Sequence, residues 1–503
     1  MKRKYLAVVP LVIAGLLVLP GVASADSLEA AGAGLLPESV AINSLWVLVA
    51  GLLVMFMQAG FAFLEIGFSR GKNAGTIVAK ILINFSIAAL AFYACGFAFA
   101  FGTGEIIGDT GFFLQGFGDP QTAFPVMGLS DATVETKWFF QFVFCAVSLA
   151  IVWGTTLERI KFGVYVIFAV VFAALIYPIG AHWVFGGGWL QSNVGMQDFA
   201  GSTAVHLIGA TAGLAVLLLL GARRGKYGED GRPRAIPGHS MPLFGLGVLI
   251  LWLGWFGFNP GSTLGALDGR FPEVALITLI AGAAGVLTAA ITSRLLQKTL
   301  DIGMIGNGAI AALVAITAPS GYVEAWAAPI IGAVAGVLVV VGVLAIDKVL
   351  DDPVGALSAH GLAGIWGTLS CGLFTSPRLA QYNAFGDPEG GLFYSGSLEQ
   401  LGNQALGIIV VMAFVLASSL AVLYLIKVTY GLRVSPEEED AGLDISEHGM
   451  YGYPEQFISN EEYPGGGAGW GNQPTLRAPV AASATQMTAE GPPPLASDSP
   501  SQA

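Results

Sequence analysis

Two histidines are placed where this chain can do chemistry. Thr203 to Gly213 reads TAVHLIGATAG and Ser358 to Thr368 reads SAHGLAGIWGT, so His206 and His360 each stand among small, uncharged residues. Imidazole titrates near neutral pH and offers both a donor and an acceptor nitrogen. An ionisable ring inside an apolar helix is a functional hypothesis by default, because lipid penalises its charged form by several kcal/mol. The plainer alternative is a neutral ring that joins two helices by a hydrogen bond.

The elements that position these rings follow from composition. Of 503 residues 54% are hydrophobic and 11% charged, against roughly 25% charged in soluble domains. A spanning helix needs about 20 largely apolar residues. Uncharged runs cover 39–64, 81–104, 138–157, 162–197, 199–222, 235–267, 274–293, 302–323, 325–346, 353–377 and 400–426. The reading is an all-α polytopic membrane protein with eleven transmembrane helices over residues 39–430. Residues 1–25 form a separate leader. MKRK is basic, LAVVPLVIAGLLVL is apolar and VASA ends in the small-x-small pattern of a cleavable signal peptide; a twelfth helix is the alternative.

Alternate loops carry fifteen Lys and Arg, and the opposite loops hold only Lys137, Arg270 and Arg378. By the positive-inside rule the mature N-terminus lies outside and the C-terminus in the cytoplasm of a cell-membrane protein. His206 lies eight residues after Asp198, in the fifth span, which runs inward. His360 lies eight after Asp352, in the tenth, which runs outward. Eight residues are about 12 Å of helix, so both rings reach the midplane from opposite faces. The offset of five spans and the shared His-to-Gly spacing of seven indicate a five-plus-five inverted repeat, with the solute path at the repeat interface. His182 reads as interfacial, His239 as a loop residue and His448 as part of the tail.

The formal net charge of -12 belongs largely to the tail, where residues 431–503 hold eleven Asp and Glu against Arg433 and Arg477. Its acidic run from Glu437 to Asp440 reads, on its own, as solvated charge. Residues 431–462 form a cytoplasmic tail. From 463 to 503 the composition is Gly, Pro, Ser and Ala and reads as disordered. Cys95, Cys145 and Cys371 all fall within spans, so neither a disulfide framework nor a zinc cluster is indicated. No nucleophile motif, nucleotide loop or basic nucleic-acid patch is present. The chain reads as neither an enzyme nor a nucleic-acid binder, and no cofactor is called for.

Further motifs carry a resemblance. DFAGSTAVH at 198–206, GWFGFNPGS at 254–262, DDPVGALSAHG at 351–361, SRGKNA at 69–74, ERIKF at 158–162 and the tail segment GLRVSPEEEDAGLDISEHGMYGYPE resemble the Amt/Mep branch of the ammonium transporter family, over about Asn43 to Pro454. The resemblance implies a homotrimer with one pore per subunit. It implies an outer ammonium site of aromatics and one serine, falling on Phe140, Phe144, Phe185 and Ser262, with Asp198 supporting it indirectly. It further implies a gate of Phe144 and Phe258, a pore lined by His206, His360 and Trp255, and a PII-type signalling protein docking from the cytoplasm. Two positions depart from the family pattern. Phe185 stands where tryptophan is usual, with Trp183 and Trp189 as nearby substitutes, and Pro260 stands where alanine is usual.

These residue types suit an ion that must lose its water. Moving a bare ammonium-sized ion into a low-dielectric medium costs on the order of 20 kcal/mol, whereas a cation–π contact returns roughly 0.5 to 2. Parting ammonia from its proton closes the gap. The expectation is therefore deprotonation at the outer site and passage of ammonia, with or without a separately routed proton. A Rhesus-type gas channel shares the twin histidines but lacks the Trp255 and Ser262 signature. A b-type haem protein with His206 and His360 as axial ligands is the reading from the redox class.

Overall fold

The computed structural model describes residues 36–116, 131–383 and 388–457 of the chain. The leader assigned to residues 1–25 and the stretch from 463 onward lie outside the described residues. Among the described residues every regular element is helical. Nine helices are long and apolar enough to cross a bilayer: α1 (Glu38–Phe68), α2 (Gly71–Phe101), α3 (Val134–Gly154), α4 (Phe162–Ser192), α5 (Ser202–Leu220), α6 (Met241–Gly261), α7 (Phe271–Gln297), α9 (Ala327–Ile346) and α11 (Glu399–Thr429). Two shorter ones complete the eleven read from the sequence. They are α8 (Ile302–Thr317) and α10, in which Leu357–Leu362 runs directly into Ala363–Phe374.

All-helical crossing is what lipid requires, since a helix pairs its backbone groups within itself. The chain supplies caps where helices begin. Thr133, Ser240 and Asp301 accept from the backbone N–H three residues on, at 3.4, 3.4 and 2.9 Å. Burial separates lipid-facing from central helices. α3 and α5 are 89% and 83% buried over their apolar windows, against 33% for α11 and 39% for α1, α7 and α9. α8 is buried from Asn307 through Thr317. Enclosed on all sides, it need not match the full hydrocarbon thickness.

Close approach between helices rests on glycine. A Cβ on Gly67 would run into the backbone of Phe244, one on Gly247 into Leu64, and one on Gly257 into Ala50. α1 and α6, the first helices of the two halves, therefore pack backbone to backbone, as small-residue faces do in membranes. α5 and α10, the last helices of the halves, both begin in a wide π turn, Ser202–Leu207 and Leu357–Leu362. Each π turn contains its histidine. Wide turns also occur in α2 at Phe92–Gly96 and in α4 at Phe172–Ile176.

The Lys/Arg-rich face is closed by ion pairs. Arg70 and Arg223 meet Glu158 at 2.6 and 3.7 Å, and Arg223 and Arg159 meet Asp351 at 2.9 and 3.9 Å. The tail is laid across this face. A short helix, α12 (Pro436–Ala441), starts in a capping box formed by Ser435 and Glu438. Its acidic run is not uniformly solvated. Glu439 is buried, bonded to Arg433 at 2.7 Å and to the Arg224 N–H at 2.8 Å. Asp444 accepts the Gly75 and Thr76 N–H groups of α2 at 2.9 and 2.7 Å.

Candidate functional site

Six of the rings singled out in the sequence, Phe140, Phe144, Trp255, Phe258, His206 and His360, form one column built from four helices. From α3, Phe140 and Phe144 lie 4.7 Å apart between ring centroids. Phe144 stacks on Phe258 of α6 at 4.1 Å and an interplanar angle of 27°. Beneath it, His206 of α5 lies 5.4 Å from both Phe258 and Trp255. His206 then meets His360 of α10, Nδ1 to Nδ1, at 3.2 Å. All of these side chains are buried, and none carries a fixed charge. The spacings explain the column: Phe140 and Phe144 are four apart, Trp255 and Phe258 three apart, and each pair shares one helix face.

Contact between two Nδ1 atoms sets a rule on protons. One ring must donate and the other accept, so the pair holds a single shared proton between its Nδ1 atoms. His206 Nε2 is buried with no hydrogen-bond partner among the described residues. An acceptor or donor at that position is therefore left for a solute. The contact also removes the haem reading. Axial ligation places a metal plane between two nitrogens at about 2 Å from each, and rings in mutual hydrogen-bond contact leave no slot for a porphyrin.

Asp198 has no capacity left to touch an ion. Its Oδ1 accepts from Gly201 and Ser202 at 2.7 and 3.0 Å, and its Oδ2 from Thr203 and Ala204 at 2.8 and 3.0 Å. It caps α5 completely and sets the π turn that carries His206. Ser262 is half-buried at the end of α6, and its hydroxyl donates to the Phe258 carbonyl at 2.8 Å, leaving its oxygen lone pairs to accept. Phe185 is placed differently. It lies against Gly201, whose φ of +121° and crowded surroundings suit glycine, and no ring pair among the described residues includes it. Trp183 and Trp189 are turned to each other, and Trp183 donates to the Ile106 carbonyl at 2.7 Å and packs on Phe414. Neither takes the place of the usual tryptophan through a ring contact with the column.

Several supporting residues escaped the sequence reading. Trp255 is held by a 2.9 Å bond from Nε1 to the Thr317 hydroxyl. Thr203 and Thr368 join α5 to α10 at 2.6 Å. Ser148 donates to the Val205 carbonyl at 2.8 Å, satisfying an acceptor inside the π turn. Each is a lone hydroxyl on an apolar helix, and no local pattern marks which carbonyl or indole it will meet. His182 is fully buried, its two ring nitrogens 2.9 Å from the Ala100 and Gly104 carbonyls. Glu65 does not pair with Arg70, the obvious nearby partner, because Arg70 is committed to Glu158 at 2.8 Å.

Fold and site together define a multi-pass helical membrane protein with a buried, uncharged column of rings at its centre. The chain belongs to the ammonium transporter family, whose model matches residues 45–453. It is 42% identical over 466 residues to the ammonium transporter Amt2 of Archaeoglobus fulgidus, covering 90% of this chain and 97% of that one. It is 35% identical to the ammonium transporter Amt1 of Haloferax mediterranei, over 85% and 82% of the two chains. Among solved structures, a sensor Amt protein superposes with a TM-score of 0.74 at 35% identity, over 82% of this chain and 99% of that one. Candida albicans Mep2 does so at 0.72 and 27% identity, over 80% and 88%.

Proposed function

We propose that this transporter takes ammonium at an outer site formed by Phe140, Phe144, Phe185 and Ser262, removes one proton, and passes ammonia along the column through the Phe144 and Phe258 gate. The observation that carries this reading is the His206 and His360 contact inside an uncharged aromatic column. A desolvated cation finds no counter-charge there, whereas neutral ammonia can exchange hydrogen bonds with imidazole nitrogens at little cost. Asp198 acts through α5, holding the π turn rather than the solute. The Lys/Arg-rich face is the cytoplasmic one, the protein sits in the cell membrane, and three copies assemble with one pore each. A PII-type protein docks on the cytoplasmic face and stops flux.

Reconstituted protein on a solid-supported membrane tests the core of this. Ammonium and methylammonium pulses should give transient currents that potassium does not. Equal currents from potassium in the wild-type protein would refute the deprotonation reading. Truncation before Gly431 should abolish both PII binding and normal flux, while truncation after Tyr463 leaves both intact; undiminished PII binding by the shorter chain would remove the tail from the docking site.

A further inference from the structure

Glu65 is buried in α1 on the side of His360 that faces the Lys/Arg-rich end of the bundle, and the mechanism above makes no use of it. Neither of its carboxylate oxygens has a hydrogen-bond partner among the described residues. That is unusual for a buried acid, which is ordinarily paired or bonded. The carboxylate and His360 line the same cavity, of about 20 Å³, together with Phe61, Gly154, Leu251 and Asn307. Oε1 of Glu65 lies 3.7 Å from where a Cβ on Gly154 would stand, so the missing side chain leaves it room. A volume of this size holds about one water, and a buried water needs two to four polar partners. Glu65, Asn307 and His360 are the polar side chains in its lining, from three helices, with Asn307 Nδ2 donating to the Val354 carbonyl at 3.0 Å.

Glu65 makes no direct hydrogen-bonded ion pair among the described residues, and the charge that acts on it is that of buried Lys80. Arg70, one turn along, is bound to Glu158 through both its backbone N–H and its Nε, at 2.6 and 2.8 Å. Lys80 of α2 is buried nearby, but its Nζ donates to the Thr156 hydroxyl at 3.2 Å and stands over the Tyr165 ring. Tyr165 in turn donates to the Lys80 carbonyl at 2.6 Å. These groups leave the Glu65 carboxyl without a fixed bond, in the lining of the cavity it shares with His360.

We propose that Glu65 receives the proton that ammonium gives up, by way of the paired histidines and a water in this cavity. The proposal rests on the deprotonation reading above. One N–H bond of ammonium breaks, its electron pair stays on nitrogen, and ammonia is left. The proton forms a bond to an imidazole nitrogen of the pair. The inner ring then releases a proton to the cavity water as that water gives one to a Glu65 oxygen. Release from the Glu65 carboxyl to cytoplasmic water restores the carboxylate. Over the cycle one ammonium enters, one ammonia and one proton leave on the inner side, and the protein is unchanged.

Full-length protein in proteoliposomes decides it, through ammonium-evoked current and a His206→Ala control. Glu65→Gln keeps the shape and cannot take up the proton, so current should fall about tenfold. Glu65→Asp keeps the acid and should restore most of it. A fall of about threefold or more in the glutamine variant that the aspartate variant repairs supports the relay. A smaller fall, or one that aspartate shares, overturns it. Wild-type protein that gives no ammonium current overturns the underlying reading as well, whereas current lost in His206→Ala but kept in Glu65→Gln overturns the relay alone. If Glu65→Gln does not elute as a monodisperse species, infrared difference spectra of the wild type on ammonium perfusion take its place. A change in a protonated-carboxyl band that is displaced in Glu65→Asp supports the relay, and a flat or undisplaced band overturns it.

Discussion

The two histidine helices begin alike and are finished differently. In both α5 and α10 the histidine follows an aspartate by eight residues, and both helices open into a π turn around the ring. At the start of α5, Asp198 receives four backbone N–H groups and both its oxygens are satisfied. At the start of α10, Asp352 receives Leu357 N–H at 2.7 Å on one oxygen, while its Oδ1 is buried without a partner among the described residues. His206 is sealed against Trp255 and Phe258, whereas His360 faces a small cavity. One end of the repeat is closed by saturated bonds. The other retains polar capacity and adjoins the ion pairs of Asp351.

The largest test of this contrast replaces the rings themselves. His206→Asp or His360→Asp should leave folding intact while ammonium current falls by about tenfold or potassium begins to pass, since the pair supplies proton exchange rather than packing. Comparing ammonium and potassium pulses measures it. If the closed end governs selectivity, the His206 variant should be the more severe; unchanged rate and selectivity in both would end the argument for a proton-handling pair.

Next comes the difference between the two caps. Asp198→Ala leaves four helix-start N–H groups without their charged acceptor and should lower stability by about 3 kcal/mol. Asp352→Ala removes fewer bonds and should cost about 1 kcal/mol. Thermal unfolding in detergent ranks them, and equal losses would mean the two starts are energetically equivalent after all.

Acid should act on the inner end in turn. Burial alone would raise the Asp351 carboxyl, but the Arg223 hydrogen bonds and the Arg159 and Arg223 charges outweigh it and hold it at about 2. An unfolded aspartate titrates near 3.9, so the folded form binds its proton later. This contribution is fully present above about pH 4 and is lost as pH falls toward 2, a change of about 2 kcal/mol. Unfolding midpoints between pH 5 and 2.5 should therefore drop more in wild type than in Asp351→Asn. Parallel slopes would show that the cluster adds no pH-dependent stability.

The smallest effect concerns the support of Trp255. Thr317→Val removes the acceptor of its buried indole N–H and should cost about 1 kcal/mol with a modest fall in current. Loss of stability without any change in current would make this bond structural only.

Much of this was legible in sequence because lipid leaves few choices. Uncharged runs of twenty residues must be helices, Lys and Arg mark one set of loops, and two aspartate-to-histidine spacings of eight set equal depths. Yet the segment WFFQFVF offers five neighbouring aromatics, and only packing separates them. Phe140 and Phe144 join the column, while Trp138, Phe139 and Phe142 stack among themselves and on Phe85. Glu65 and Arg70 are five residues apart, close enough in sequence for a local ion pair. The competition was decided by Glu158, distant in sequence and bonded to Arg70 by two contacts.

Composition and spacing by themselves determined that the chain is helical and how many times it crosses, because burying a peptide group in lipid constrains every sequence in the same way. Tertiary structure alone decided how each helix is turned about its axis. That rotation is set by glycine contacts and by single hydroxyls such as Ser148 and Thr317, whose partners lie on other helices. It brings His206 to His360, leaves Asp198 fully bonded, and places Glu65 beside the small cavity that His360 also lines.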